Sequence, residues 1–267
     1  MDNRPIGIFD SGLGGLTALR AFRELMPGED IIYFGDTGRV PYGSRPAGQL
    51  RVMAQQDLAF LADRGVKAII AACGTVSSIA PELLAGYKLP TVGVVQAGAQ
   101  ALSKRGGSAP LGVIATVASI NSGAYQRALA ELCPQREVIA VACPEFVPLI
   151  ESGHSAPDDA LVRAAVERQL RPIKEGGAAA LLLGCTHYGI IGTAIAEYLG
   201  AGVELVSASV SAAQRLSALL RDRDMTGGSG REIYYTSGSA EEFSRLAGAL
   251  LKREERIYAE EVPVMEA

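Results

Sequence analysis

Val66-Lys67-Ala68-Ile69-Ile70-Ala71-Ala72-Cys73-Gly74-Thr75 and Ala178-Ala179-Ala180-Leu181-Leu182-Leu183-Gly184-Cys185-Thr186-His187 share one build. Each has a continuous apolar centre and ends at a cysteine followed by a small or hydroxyl-bearing residue. Apolar runs of this length, without polar alternation, suit strands buried on both faces of a parallel sheet. Outward from them, further short apolar runs lie at Ile6 to Phe9, Ile31 to Phe34, Thr91 to Val95, Leu111 to Ile114, Val138 to Ala142, Glu204 to Val206 and Ile233 to Tyr235. Helical spacing of apolar residues marks Leu16 to Met26, Leu50 to Ala62, Ser122 to Leu132 and Ser209 to Arg221, with a short helix at Pro81 to Ala85. Ser155 with Asp158 resembles a capping box for a helix reaching Ile173, and Pro172 weakens its last turn. Ser239 with Glu242 caps a last helix. Thr37 to Ala47 carries two glycines and two prolines and reads as a loop, and Thr226 to Arg231 reads as a flexible one. Strands alternating with helices predict an α/β protein with mainly parallel sheets.

A weak internal echo divides the chain. In the first half, strands end at Asp10-Ser11 and Cys73-Gly74-Thr75; in the second, at Ala115-Thr116 and Cys185-Thr186-His187. This predicts two similar α/β domains, residues 1–95 plus 209–267 and residues 96–208, facing one another. Ligands of parallel sheets sit beyond the carboxyl ends of the strands, so a cleft between the domains can gather all four landmarks.

Composition narrows the function. The chain has 267 residues, 48% hydrophobic and 20% charged, with a formal charge of −4. That is globular, and the acidic balance argues against nucleic-acid binding. Trp is absent and aromatics are 6%, which disfavours a base-stacking platform. No signal-like or membrane-spanning stretch is present, so a cytoplasmic protein is expected. The four cysteines, Cys73, Cys133, Cys143 and Cys185, form no CxxC pair. With only His154 and His187 as further ligands, no metal site is expected.

The segment Asp10-Ser11-Gly12-Leu13-Gly14-Gly15-Leu16-Thr17 joins a strand to a helix but is neither a dinucleotide fingerprint nor a Walker loop. Its glycines are expected to let the helix pack on the sheet, whereas Asp10 and Ser11 stand where a site would be. A single free cysteine is commonly a small buried hydrophobe. Two that each enter a helix from a strand tip are different, because a helix N-terminus lowers a thiol pKa. Cys133 and Cys143 are followed by Pro and read as structural, and His154 reads as solvated. His187, two residues after Cys185, suits an acid/base or orienting role. Two thiols facing one another across a substrate can remove a proton from one face of a tetrahedral carbon and return one to the other. That is two-base racemisation, with Asp10 and His187 each tuning one thiol.

At these residues the chain resembles the glutamate racemases, cofactor-independent enzymes of Asp/Glu racemase type that supply D-glutamate for bacterial cell-wall precursors. The resemblance rests on Gly7 to Thr17, Tyr33-Phe34-Gly35-Asp36-Thr37, Val40-Pro41-Tyr42-Gly43, Ala72-Cys73, Cys143 to Glu151 and Leu183 to Tyr188. It implies two α/β domains with the site between them, commonly in a homodimer, and glutamate as substrate. It implies Cys73 and Cys185 as the two bases, assisted by Asp10, Glu151 and His187. Substrate contacts are implied at Asp10, Ser11, Tyr42, Gly43, Gly74, Thr75, Thr116, Ser119, Thr186 and His187. The chain departs from the family pattern at Gly74, where Asn is usual, at Gly189, where Pro is usual, and at Ser119, which replaces Thr. A missing amide at Gly74 predicts that Gly74→Asn lowers KM. A racemase of another amino acid, such as aspartate, and a catalytically silent relative are the alternatives; the paired cysteines speak against the second. Pyridoxal phosphate would need a Schiff-base lysine, and the five lysines, Lys67, Lys88, Lys104, Lys174 and Lys252, all read as surface or loop positions, so no cofactor is expected.

Overall fold

The computed structural model describes residues 1–251, 253 and 256–263. The first half holds β1 (Ile6–Asp10), α1 (Leu16–Leu25), β2 (Ile31–Gly35), α2 (Ala47–Asp63), β3 (Ala68–Ala71), α3 (Gly74–Ile79), α4 (Pro81–Ala85), β4 (Thr91–Gly93) and α5 (Val94–Ser103). The second holds β5 (Leu111–Ala115), α6 (Val117–Asn121), α7 (Ala124–Leu132), β6 (Val138–Ala142), α8 (Phe146–Glu151), α9 (Ala160–Glu175), β7 (Ala180–Leu183), α10 (Gly192–Leu199) and β8 (Glu204–Ser207). The chain then returns through α11 (Ala208–Asp222) to β9 (Glu232–Thr236), α12 (Ala240–Leu251) and β10 (Ala259–Glu261).

The strands form two sheets, ordered β10-β9-β2-β1-β3-β4 and β6-β5-β7-β8, and every described pairing is parallel. In each, the cysteine-bearing strand lies beside a central one. β3 pairs with β1 from Ile6↔Ala68 to Phe9↔Ala71, and β7 pairs with β5 from Leu111↔Ala180 to Ile114↔Leu183. These four strands are buried along their whole length, as their unbroken apolar sequences require. Helices α1, α11, α5 and α7 pack in succession and carry one continuous apolar cluster from sheet to sheet. Leu16, Leu19 and Phe22 of α1 follow one helical stripe into it. Among the described residues, no helix is long and apolar enough to cross a membrane.

Several local expectations are corrected. The β-branched pair Val94-Val95, read as the end of a strand, opens α5, and both residues are buried against other helices. Asp159, not Ser155, caps α9: its carboxylate accepts the Leu161 and Val162 N–H groups at 2.8 and 3.3 Å. That helix continues through Pro172 to Glu175. Thr226 to Arg231 is a loop, but a tethered one. Glu29 accepts the Gly227 N–H, and Asp30 accepts those of Ser229 and Arg231, each at 2.9 Å. Lys67 is fully buried rather than at the surface. Its ammonium pairs with Glu29 at 2.6 Å and donates to the carbonyls of Asp2 and Gly227. It precedes β3, at the opposite end of the strand from Cys73. Lys252 lies outside the described residues.

Candidate active site

The carboxyl ends of β1, β3, β5 and β7 meet where the two sheets face. Several contacts cross between them. Thr75 and Thr116 approach with their hydroxyls 3.4 Å apart. The β1–α1 turn comes so close to the turn after β7 that a Cβ on Gly14 would stand 2.2 Å from the Thr186 hydroxyl and 2.8 Å from His187 Nδ1. A Cβ on Gly74 would stand 2.6 Å from the Gly184 carbonyl oxygen. The glycines of the first turn therefore divide their work. Gly15 packs on its own sheet, as expected, where a Cβ would strike Asp10 and Tyr33. Gly14 instead allows the second half of the molecule to approach.

On the first side, Asp10 ends β1, fully buried. Its Oδ2 accepts the N–H groups of Gly12 at 3.2 Å and Gly15 at 3.0 Å. Burial pushes its carboxyl up, against the opposing pull of His187 and the surrounding N–H groups. Cys73 is the N-cap residue of α3, and its thiol lies 3.6 Å from the Ser11 hydroxyl. The expected lowering of its pKa is overturned. Burial, reinforced by the charge of Asp10, pushes this thiol up to about 12, although the Val76 and Ser11 groups that bond it pull the other way. One helix terminus is outweighed by desolvation and a like charge.

On the second side, Thr116 caps α6. Its Oγ1 accepts the Ser119 N–H at 3.3 Å and donates to the Ser119 hydroxyl at 2.9 Å. Cys185 follows β7, but no helix follows Cys185. Residues 185–191 form consecutive turns, with the Tyr188 N–H bonded to the Cys185 carbonyl, and α10 begins only at Gly192. The Cys185 sulfur lies 3.8 Å from His187 Nδ1, and His187 Nε2 lies 3.3 Å from Glu151 at the end of α8. Burial works against charge on His187. The bonds to Cys185 and Glu151 and the field of Asp10 overcome it, raising its pKa to about 10. Glu151 is itself 60% exposed, so it reaches this ring from the solvent side.

Two expected contacts are placed differently. The Tyr42 side chain is buried, and its hydroxyl donates to Asp36, with Asp57 3.2 Å away. It faces this polar cluster, leaving the backbone of Tyr42 and the exposed Gly43 for any ligand. Gly74 lines the seam between the two sides, and the Gly184 carbonyl occupies the space in front of it. The predicted gain from Gly74→Asn is therefore withdrawn, because a Cβ there meets backbone.

The cluster beneath Tyr42 escaped sequence analysis. Arg39 Nε donates to Asp36 at 2.6 Å, and its Nη2 donates to Asp57 at 2.9 Å. Ser237 donates to Asp36 at 2.6 Å and accepts the Gly38 N–H at 2.9 Å. Burial and neighbouring Asp36 push the Asp57 carboxyl far up. A signal existed: Asp57 interrupts the apolar stripe of Leu50, Met53, Ala54, Leu58 and Leu61 on α2. Thr17 and Tyr125 also escaped. The Thr17 hydroxyl donates to the Gly14 carbonyl at 2.8 Å and lies 2.9 Å from the Ser209 hydroxyl. Among the described residues, no group of three or more His, Cys, Asp or Glu side chains could hold a metal ion.

Comparison with known proteins places this geometry. The Asp/Glu/Hydantoin racemase family matches residues 20–216. A glutamate racemase of Streptococcus pneumoniae is 36% identical, covering 98% of this chain and 99% of its own. The crystal structure of a glutamate racemase isoform from Bacillus anthracis aligns with a TM-score of 0.92 at 31% identity over 99% of both chains. That of glutamate racemase from Francisella tularensis, in complex with D-glutamate, aligns with a TM-score of 0.89 at 36% identity over 98% of both chains. Two facing parallel α/β sheets of this form are thus the frame of a racemase, an isomerase. The chain belongs to the Asp/Glu/Hydantoin racemase family.

Proposed function

We propose that this racemase interconverts L- and D-glutamate without a cofactor, with Cys73 and Cys185 acting from opposite faces of the α-carbon. The observation that carries the proposal is the pairing of sites. Each thiol stands at the carboxyl end of the corresponding strand in one of two facing sheets. The full-length likeness to glutamate racemases, one of them bound to D-glutamate, supports the choice of substrate.

In the proposed reaction one thiolate takes the α-proton. The C–H bond breaks, an S–H bond forms, and the electron pair spreads into the substrate carboxylate. The opposite thiol then gives its proton to the other face, leaving a thiolate there. Nothing is oxidised or reduced. The surroundings suit this division: Cys73 is held as a thiol by burial and Asp10, and Cys185 lies beside a His187 whose charge Glu151 supports. Ser11, Thr75, Thr116, Ser119 and Thr186 offer hydroxyls to the substrate's charged groups. Asp10 is placed to meet its ammonium, and Tyr42, Gly43 and Gly74 contribute through their backbones.

The resemblance extends the proposal to a supply of D-glutamate for cell-wall precursors, to a cytoplasmic homodimer, and to residues 1–95 plus 209–267 and 96–208 as its two domains. The test is formation of D-glutamate from L-glutamate by purified protein without added cofactor, followed by chiral chromatography. Parallel incubations with other amino acids, aspartate first, define specificity. Racemisation of aspartate in preference to glutamate would overturn the assignment, and so would no turnover at all.

A further inference from the structure

The peptide that delivers Cys185 is gripped from both sides. Gly184 follows β7 and donates its N–H to the Ile114 carbonyl at 2.8 Å. Its own carbonyl accepts a bond of 2.9 Å from the hydroxyl of Tyr125. Tyr125, in the first turn of α7, is fully buried, and a buried phenol requires a partner of this kind. The contact is close on every side of Gly184. A Cβ there would stand 2.8 Å from the Ile114 carbonyl oxygen and 3.0 Å from the Tyr125 ring. From across the cleft, the start of α3 closes on the same carbonyl oxygen, where a Cβ on Gly74 would stand 2.6 Å away. Burial, then the charges of Cys185 and Cys73, push the Tyr125 phenol up, so this hydroxyl remains a donor and lies within the field of both thiols.

We infer that Tyr125 and Gly74 are positioning residues for the Cys185 thiol: together they fix the Gly184 carbonyl, one peptide bond from Cys185. Tyr125 need not touch substrate, and this role of Gly74 is separate from the backbone contact proposed for it above. Tyr125 holds the carbonyl by its hydroxyl, and Gly74 admits it by having no side chain. This accounts for Gly at a position where the family usually carries Asn. In this chain the space in front of position 74 belongs to the backbone of the opposite side. A displacement of a few tenths of an ångström in that peptide moves the sulfur relative to the α-carbon, and proton transfer is sensitive to such distances.

The inference rests on the two-thiol reading, and the test separates the two. Tyr125→Phe keeps the ring and removes only the donor. The expected result is a kcat lower by about tenfold, because a displaced sulfur slows proton transfer, with KM changed by less than about twofold. In heavy water, the enantiomer deprotonated by Cys73 should be recovered with solvent deuterium more often per inversion than in the wild type, because impaired delivery from Cys185 leaves time for the Cys73 S–H to exchange with solvent before it returns its hydrogen to the same face. Independently of substrate, iodoacetamide should alkylate Cys185 faster, measured by mass spectrometry relative to Cys133 in the same molecule. Gly74→Ala should shift the same two ratios, and it carries the test if Tyr125→Phe does not fold. A folded Tyr125→Phe protein with unchanged exchange and alkylation ratios would overturn the inference. A wild-type protein that does not racemise glutamate would instead defeat the proposed function, and the alkylation ratio would still decide the positioning role.

Discussion

Cys73 caps α3, buried behind Ser11 and within the field of Asp10, whereas Cys185 stands partly exposed in a run of turns beside His187 and Glu151. The strands that deliver them are near copies in sequence and in register. What differs is the charge around each thiol. The first has a carboxyl as neighbour and is pushed up to about 12; the second has an imidazole whose pKa is raised to about 10. A symmetric frame thus surrounds its two cysteines with unlike groups, a carboxyl beside Cys73 and a charged imidazole beside Cys185.

The harshest way to break this comparison is to remove each thiol in turn. Cys73→Ser and Cys185→Ser should each lower racemisation by about 10²- to 10⁴-fold, because a serine hydroxyl is a far weaker proton carrier. Turnover by either variant near the wild-type rate would end the two-thiol mechanism.

His187→Gln tests the second side alone. The pKa of His187 is raised from 6.5 to about 10, so its charge contributes stability that is complete below about 6.5 and is lost as pH rises through about 10. The wild-type protein should therefore have the higher Tm near pH 6, and the difference should shrink toward pH 10. The variant should also lose its activity mainly through kcat. A Tm difference independent of pH would show that His187 is uncharged in the folded protein.

A smaller effect is expected at the seam. Gly74→Asn should lower kcat/KM for glutamate, since the Cβ would stand 2.6 Å from backbone and force the sides apart. Steady-state kinetics in both directions would check this, and a lower KM with kcat preserved would show that the amide finds room.

The smallest effect sharpens the first side. Asp57 is buried beside Asp36, and burial and that charge push its carboxyl far up, toward the protonated form. Asp57→Asn should therefore cost less than about 1 kcal/mol, while Asp57→Ala, which leaves Arg39 Nη2 without this acceptor, should cost about 1–3 kcal/mol. Urea denaturation of both variants gives the two values, and equal losses would mean that Asp57 is ionised.

Most strands and the longer helices were legible from hydrophobic pattern, because unbroken apolar runs can be covered only by helices on both faces of a parallel sheet. The positions of Cys73 and Cys185 at strand tips were legible for the same reason. Less visible were the elements whose character depends on neighbours: α5, where Val94 and Val95 enter a helix because other helices cover them, and β10, which is held by pairing with β9. The Asp159 cap and the turns after Cys185 depend on backbone geometry that many local sequences can adopt.

The site followed a similar division. Residue type and spacing were enough to single out Asp10, Cys73, Cys185 and His187, since each lies at the carboxyl end of a strand or within four residues of it. Pattern along one chain carries the side-chain period and the strand ends, and those are local properties. The burial of Lys67 against Glu29 and the rise of the Cys73 pKa come from residues far away in the chain. So does the meeting of Gly74 with Gly184, because desolvation and close approach between the two sheets exist only once they face one another.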